Sequence, residues 1–150
     1  MAHSIQILLG KFHCVDGIKS LPVLTTEGIK QGGILSPFLF NFFIDDLLSG
    51  CRSLDIGALV GVTNTSILAY CDDILLLSSN ESHMQRLLNN CFAYSRTWKM
   101  EFNASKSIAY SLRETRAGYF YLNNMPIPPS IGFIYLGLPI GDQHFIEQFF

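Results

Sequence analysis

Two aspartates in tandem, Asp72 and Asp73, lie between apolar stretches, Ile67-Leu68-Ala69-Tyr70 before them and Ile74-Leu75-Leu76-Leu77 after. Carboxylates that close repel one another. At about 5 Å and an effective dielectric near 20 the cost is roughly 3 kcal/mol. Protonating one of them relieves it, and so does a divalent cation. Mg2+ takes one or two carboxylates plus substrate phosphates and water. Two such ions about 4 Å apart can stabilise the attacking and leaving oxygens of a phosphoryl transfer. The competing reading is an exposed turn, because aspartate favours turns. A second doublet, Asp45-Asp46, serves as an internal control. It falls late in an expected helix and reads as a solvent-facing polar patch.

The elements that would position the doublet can be read from spacing. The apolar runs on either side of Cys71-Asp72 predict two short buried strands joined by a tight turn there. Upstream, residues 5 to 24 read as short extended segments around a Gly17 turn. A polar, glycine-rich stretch, Thr25 to Gly33, leads into Ile34-Leu35-Ser36-Pro37. Ser36 suits a helix cap and Pro37 the first helical position. That helix is expected to end at about Ser49, with Gly50 in the left-handed position beyond it. Phe38, Leu39, Phe42, Phe43 and Leu47 give it an apolar face. Residues 51 to 64 read as a connector.

Downstream, Met84, Leu87, Leu88, Cys91, Phe92 and Trp98 mark one face of a second helix from about Ser82 to Lys99. Asn103-Ala104-Ser105-Lys106-Ser107 reads as a turn. Ile108, Tyr110 and Leu112 alternate as in a strand, Asn123-Asn124 suits a hairpin turn, and Phe133 to Ile140 reads as a last strand. The whole is an α+β domain of short antiparallel strands packed on helices.

Composition bounds the rest. With 150 residues, 49% hydrophobic and 15% charged, the chain is long enough for one real core and is not a disordered tail. A net charge of −2 excludes a uniformly basic nucleic-acid binder. Charge is nonetheless uneven. Between Ser82 and Arg116, Arg86, Arg96, Lys99, Lys106, Arg113 and Arg116 face only Glu101 and Glu114. This reads either as a phosphate-facing patch or as a solvated helix face. Cys14, Cys51, Cys71 and Cys91 form no CxxC pair, so neither a zinc site nor a disulfide framework is indicated. No secretory segment or membrane span is evident. The expected compartment is intracellular, cytoplasmic or nuclear.

Four segments together resemble one family. Gly28-Ile29-Lys30-Gln31-Gly32-Gly33-Ile34-Leu35-Ser36-Pro37-Phe38-Leu39-Phe40-Asn41 resembles the glycine-glutamine motif of reverse transcriptases. Ala69-Tyr70-Cys71-Asp72-Asp73-Ile74-Leu75-Leu76 resembles their tyrosine-x-aspartate-aspartate motif. Phe102 to Ser107 is similar to the lysine-bearing segment that follows, and Tyr135-Leu136-Gly137 to the short hairpin beyond the palm. The order is the family's order. The likeness is greatest to non-LTR (LINE-type) retrotransposon polymerases.

The resemblance implies part of a right-hand polymerase palm. Its core would span about 25 to 112, with the start of a palm-to-thumb connection at about 113 to 150. It implies that Asp72 ligates the catalytic metals, Mg2+ (or Mn2+), and that Asp73 assists. Tyr70 would pack near the primer terminus. Gln31, Gly32 and Gly33 would lie against nucleotide and template, the glycines permitting close backbone approach. Lys106 would approach the triphosphate, or stand as an ordinary surface lysine. Tyr135, Leu136 and Gly137 would hold the primer strand, or form an ordinary buried strand end. The implied partners are an RNA template, a DNA primer and deoxynucleoside triphosphates, with no membrane; the oligomeric state is not implied.

Two departures stand out. Cys71 replaces the alanine usual in such relatives. The family also carries a metal-binding aspartate on a strand before the glycine-glutamine motif, whereas only Asp16 and Glu27 precede Gln31 here, neither in the family's context. The expectation is therefore a fragment of a nucleotidyltransferase that is inactive as an isolated chain. The alternative is a non-enzymatic nucleic-acid-binding or protein-binding remnant of a retroelement.

Overall fold

The computed structural model describes residues 2–6, 14–15, 18–19, 36–70, 73–112 and 119–150. A strand β1 (Ala2–Gln6) is followed by a small hairpin, β2 (Cys14–Val15) and β3 (Ile18–Lys19). Helix α1 (Ser36–Ser53) leads into a second hairpin, β4 (Leu59–Val60) and β5 (Thr63–Asn64). Strands β6 (Ile67–Tyr70) and β7 (Asp73–Leu76), helix α2 (Glu81–Thr97) and β8 (Glu101–Phe102) complete the central unit. Its sheet is antiparallel in the order β6-β7-β1-β8. Leaving the hairpins aside, the chain runs strand, helix, two strands, helix, strand, with the first strand inside the sheet. That is the split β-α-β arrangement. It confirms an α+β fold with antiparallel strands on helices.

One face of the sheet carries the core. Ile67, Ile74 and Leu76 are fully buried against Leu47 and Cys51 of α1 and Leu87, Leu88 and Cys91 of α2. Removing that apolar surface from water is the main force holding helices to sheet. Asn80 caps α2, its side chain accepting from the Ser82 and His83 amides. These bonds satisfy two of the helix's orphan donors.

Helix α1 departs from expectation twice. Its buried residues are Phe40, Ile44, Leu47 and Cys51, whereas Phe38 is 71% exposed and Phe42 84%. Leu39 is exposed too, and Phe43 is half-buried. Apolar residues surround most of this helix, so spacing alone does not select a face. The positions of α2 and β6 select it. The helix also continues through Gly50 to Ser53. A Cβ at Gly50 would come within 3.3 Å of the Asn90 side chain, so this glycine serves close helix packing rather than a helix stop. The left-handed residue is Asp55, with φ of 50°. Asp45 and Asp46 are both exposed, as expected of a polar patch.

The expected connector, 51 to 64, instead holds the last turn of α1 and the β4–β5 hairpin. Gly57 before it has φ of +95°, and a Cβ there would lie 2.5 Å from Ser66 Cβ. Only glycine fits. The face expected for α2 is largely correct, but Trp98 lies past the helix and is 46% exposed. Its ring meets Phe43 edge-on, with centroids 5.0 Å apart.

The expected strand at 108 to 112 is absent. Ala109, not its neighbours, is buried, and it bonds to Pro128 O and from Ser130 N. Leu112 is 88% exposed. Alternation there followed residue size, while the backbone pairing followed the loop at 128–130. The Asn123-Asn124 turn does close a hairpin, β9 (Phe120–Leu122) with β10 (Met125–Ile127), and both asparagines are left-handed. The expected single strand from Phe133 to Ile140 is two, β11 (Gly132–Tyr135) and β12 (Leu138–Gly141). Leu136 and Gly137, with φ of 51° and 80°, turn the chain between them. A final helix, α3 (Gln143–Phe149), is capped by Asp142.

Candidate active site

The β6–β7 hairpin has a polar end. Tyr70 pairs directly with Asp73, and the two residues between them, Cys71 and Asp72, lie outside the described residues. Directly paired residues share a face, and side chains alternate along each strand. Ile67, Ala69, Ile74 and Leu76 therefore face the helices, while Leu68, Tyr70, Asp73 and Leu75 face the other way. Tyr70 is 60% exposed and Leu68 39%, whereas Leu75, next to β1, is buried at 6%. The sheet thus has one closed, oily side and a second side whose β6 end is open and carries a carboxylate and a phenol.

The β11–β12 hairpin reaches the same neighbourhood. Burial pushes the Tyr135 phenol above its ordinary range, and the Asp73 carboxylate adds to that. A carboxylate's negative charge disfavours phenolate when the two are close. Three residues singled out from sequence, Tyr70, Asp73 and Tyr135, are thereby brought to one region. Sequence reasoning had placed Tyr135 on a strand end without this link to Asp73. No local signal carries it, because the two are far apart in the chain. Leu136 and Gly137 form the exposed tip of that hairpin.

Lys106 stands on a short 3-10 turn, Ala104–Lys106, with an exposed side chain. The Asn103 side chain accepts from the Ser105 and Lys106 amides and so fixes the turn. The turn packs on β1 and β10. It thus follows the edge strand β8, at the opposite side of the sheet from β6. Gln31, Gly32 and Gly33 lie outside the described residues.

The strand next to Asp73 is β1, with Ser4 paired to Asp73 and His3 to Ile74. Its sequence, Ala-His-Ser-Ile-Gln, contains no carboxylate. Among the described residues no group of three or more His, Cys, Asp or Glu side chains is placed to hold a metal ion. No helix among the described residues is long and apolar enough to cross a membrane.

Comparison with known proteins supplies the family. The chain belongs to the reverse transcriptase (RNA-dependent DNA polymerase) family, which it matches over residues 3–140. It is similar to the Retrovirus-related Pol polyprotein from type-1 retrotransposable element R2 of Popillia japonica, with 36% identity over 97 residues. That match covers 64% of this chain and 14% of the relative. A Pol polyprotein from the type-2 element R2DM of Drosophila melanogaster is 31% identical over 75% of this chain and 11% of its own length. The RNA-directed DNA polymerase from mobile element jockey of the same fly is 25% identical over 86% of this chain and 15% of its own length. The relatives are non-LTR retrotransposon polymerases, and the chain spans about a seventh or less of each.

Proposed function

We propose that this chain is the palm portion of an RNA-directed DNA polymerase. Its palm core spans about 25 to 112, and residues from about 113 onward begin the connection to a thumb. The observation that carries the reading is the β6–β7 hairpin, which presents Tyr70 and Asp73 together on the open side of the sheet. In this reading Asp72 and Asp73 are its contribution to a site for two Mg2+ (or Mn2+) ions. Such ions stabilise the attacking and leaving oxygens in nucleotidyl transfer. Tyr70 lies by the primer terminus, Gln31, Gly32 and Gly33 by nucleotide and template, and Lys106 by the triphosphate. Tyr135, Leu136 and Gly137 hold the primer. Template RNA, primer DNA and deoxynucleoside triphosphates are the matching partners.

Because β1 places no carboxylate beside Asp73, no catalytic step is assigned to these 150 residues alone. The test is primer extension on an RNA template with Mg2+ and deoxynucleoside triphosphates. The purified 150-residue chain should give no product. Processive extension that Asp72→Ala abolishes would overturn this.

A second reading rests on the exposure of Arg86, Arg96, Lys99 and Lys106. A chain without catalysis could still bind RNA through this basic segment. Binding would then weaken with salt and with neutralisation of Lys106 and Arg113. Affinity indifferent to both changes removes that reading.

A further inference from the structure

The β9–β10 hairpin leans on α2, a helix of the sheet's closed side. Phe120, Leu122 and Ile127 go into the core. Tyr119, just before β9, and Tyr121 alternate with Phe120 and Leu122, so both rings stand on the outer face, 78% and 49% exposed. The Gln85 side chain of α2 holds this strand in place. Its amide nitrogen donates to the Tyr121 carbonyl at 2.9 Å, and its oxygen accepts from the Tyr121 N–H at 3.0 Å. Pro126, the register partner of Tyr121, has no N–H to offer, so the backbone polar groups of Tyr121 are committed to Gln85. Asn89 accepts from the same Gln85 amide, and both Asn89 and Arg86 are exposed on α2 beside it.

We propose that Tyr119 and Tyr121, with Arg86 and Asn89 beside them, form a stacking platform for single-stranded nucleic acid on the helix side of the domain. It rests on the reading that the chain binds RNA, and it gives the bases a place away from Tyr70 and Asp73. The charge pattern matches that ligand. From Ser82 to Met100 the chain has Arg86, Arg96 and Lys99 and no carboxylate, and from Tyr119 to Ile131 it has no charged residue. Cations beside exposed ring faces suit a phosphate strand with unstacked bases. A peptide that adds itself as a strand has no such fit, because Gln85 already occupies the β9 backbone at Tyr121.

The Tyr121 ring is also held ready. It lies between two buried residues, its backbone is bonded to Gln85, and the left-handed Asn123 and Asn124 close the hairpin tightly. A side chain anchored in this way loses little freedom when a base stacks on it. Every base has a π-face, so the platform takes single strands with little regard to sequence. A duplex keeps its base faces inside its own stack and offers the arginines only phosphates.

The experiment uses the full chain and a fluorescein-labelled oligouridylate of about 12 nucleotides, with binding read by anisotropy. The parent chain should bind it more tightly than a duplex of the same length, and added salt should weaken the binding. Tyr119→Ala with Tyr121→Ala should weaken it by about fivefold or more. Tyr119→Phe with Tyr121→Phe keeps both rings and should bind like the parent. Arg86→Gln should lower the salt dependence. With 4-thiouridine in the oligonucleotide, ultraviolet cross-links should map to the peptide containing residues 119–121. Salt-sensitive binding that the alanine pair leaves unchanged would overturn the platform while the basic-segment reading stands. No binding by the folded parent chain would remove both. Equal affinity for the duplex, or cross-links confined to 68–73 or 135–137, would also overturn the platform. Circular dichroism shows beforehand whether the alanine pair is folded; if it is not, the cross-link map on the parent chain decides the matter.

Discussion

The two sides of the central sheet share the same strands but have opposite characters. Toward the helices, Ile67, Ile74 and Leu76 have no measurable exposure. On the other side, Tyr70 and Leu68 are largely or partly exposed around Asp73. A strand with period two can serve both purposes at once, stability on one side and chemistry on the other. The comparison teaches where substitutions should hurt folding and where they should touch only function.

The sharpest break is on the closed side. Ile74→Ala should cost about 2–5 kcal/mol in urea unfolding, from lost burial and the cavity left behind. Leu68→Ala, one strand over on the open side, should cost under about 1 kcal/mol. Equal losses would mean that the open side is covered in solution. Next is the link that brings the chain onto the sheet's edge. Gly57→Ala should cost about 1–3 kcal/mol, because its left-handed φ and its contact with Ser66 both resist a side chain. An unchanged unfolding midpoint would refute that geometry.

The hairpin that approaches Asp73 carries strain of its own. Leu136 is left-handed, a conformation costing a branched side chain about 1–2 kcal/mol. Leu136→Asn should raise stability by about 1 kcal/mol, read from the thermal midpoint. The smallest effect is on the helix side. Burial, then Asp46, pushes the Tyr94 phenol up to about 12, and its hydroxyl donates to the Phe43 carbonyl. A raised folded-state value means that the folded form holds the proton more tightly. The stabilisation is complete below the unfolded value of about 10 and is lost as pH rises through 12. Stability of the parent chain should therefore fall more steeply over that window than stability of Tyr94→Phe. Parallel curves would exclude the linkage.

Much of this was legible in the residues. The Asp72-Asp73 hairpin was marked by apolar runs on both sides of a polar pair, and register Tyr70↔Asp73 follows from that pattern. The face of α2 was legible because its other sides are polar, so that only one orientation buries Leu87, Leu88 and Cys91. Asn123-Asn124 announced its turn because few residues other than glycine and asparagine accept left-handed backbone. By contrast, α1 is apolar nearly all round, and its sequence left the buried face undecided. Leu136-Gly137 hid a turn inside what looked like one continuous strand.

Local pattern marked α1, α2 and the β6–β7 and β9–β10 hairpins, though not β4–β5 or α3, and the motifs marked the family. Only the tertiary structure decided that Phe40 and Ile44 rather than Phe38 and Phe42 go inside, that Gly50 is a packing contact, and that Tyr135 stands near Asp73. The physical reason is the same in each case. Backbone preference and side-chain periodicity act over a few residues, whereas burial and electrostatic proximity depend on which distant segment arrives alongside.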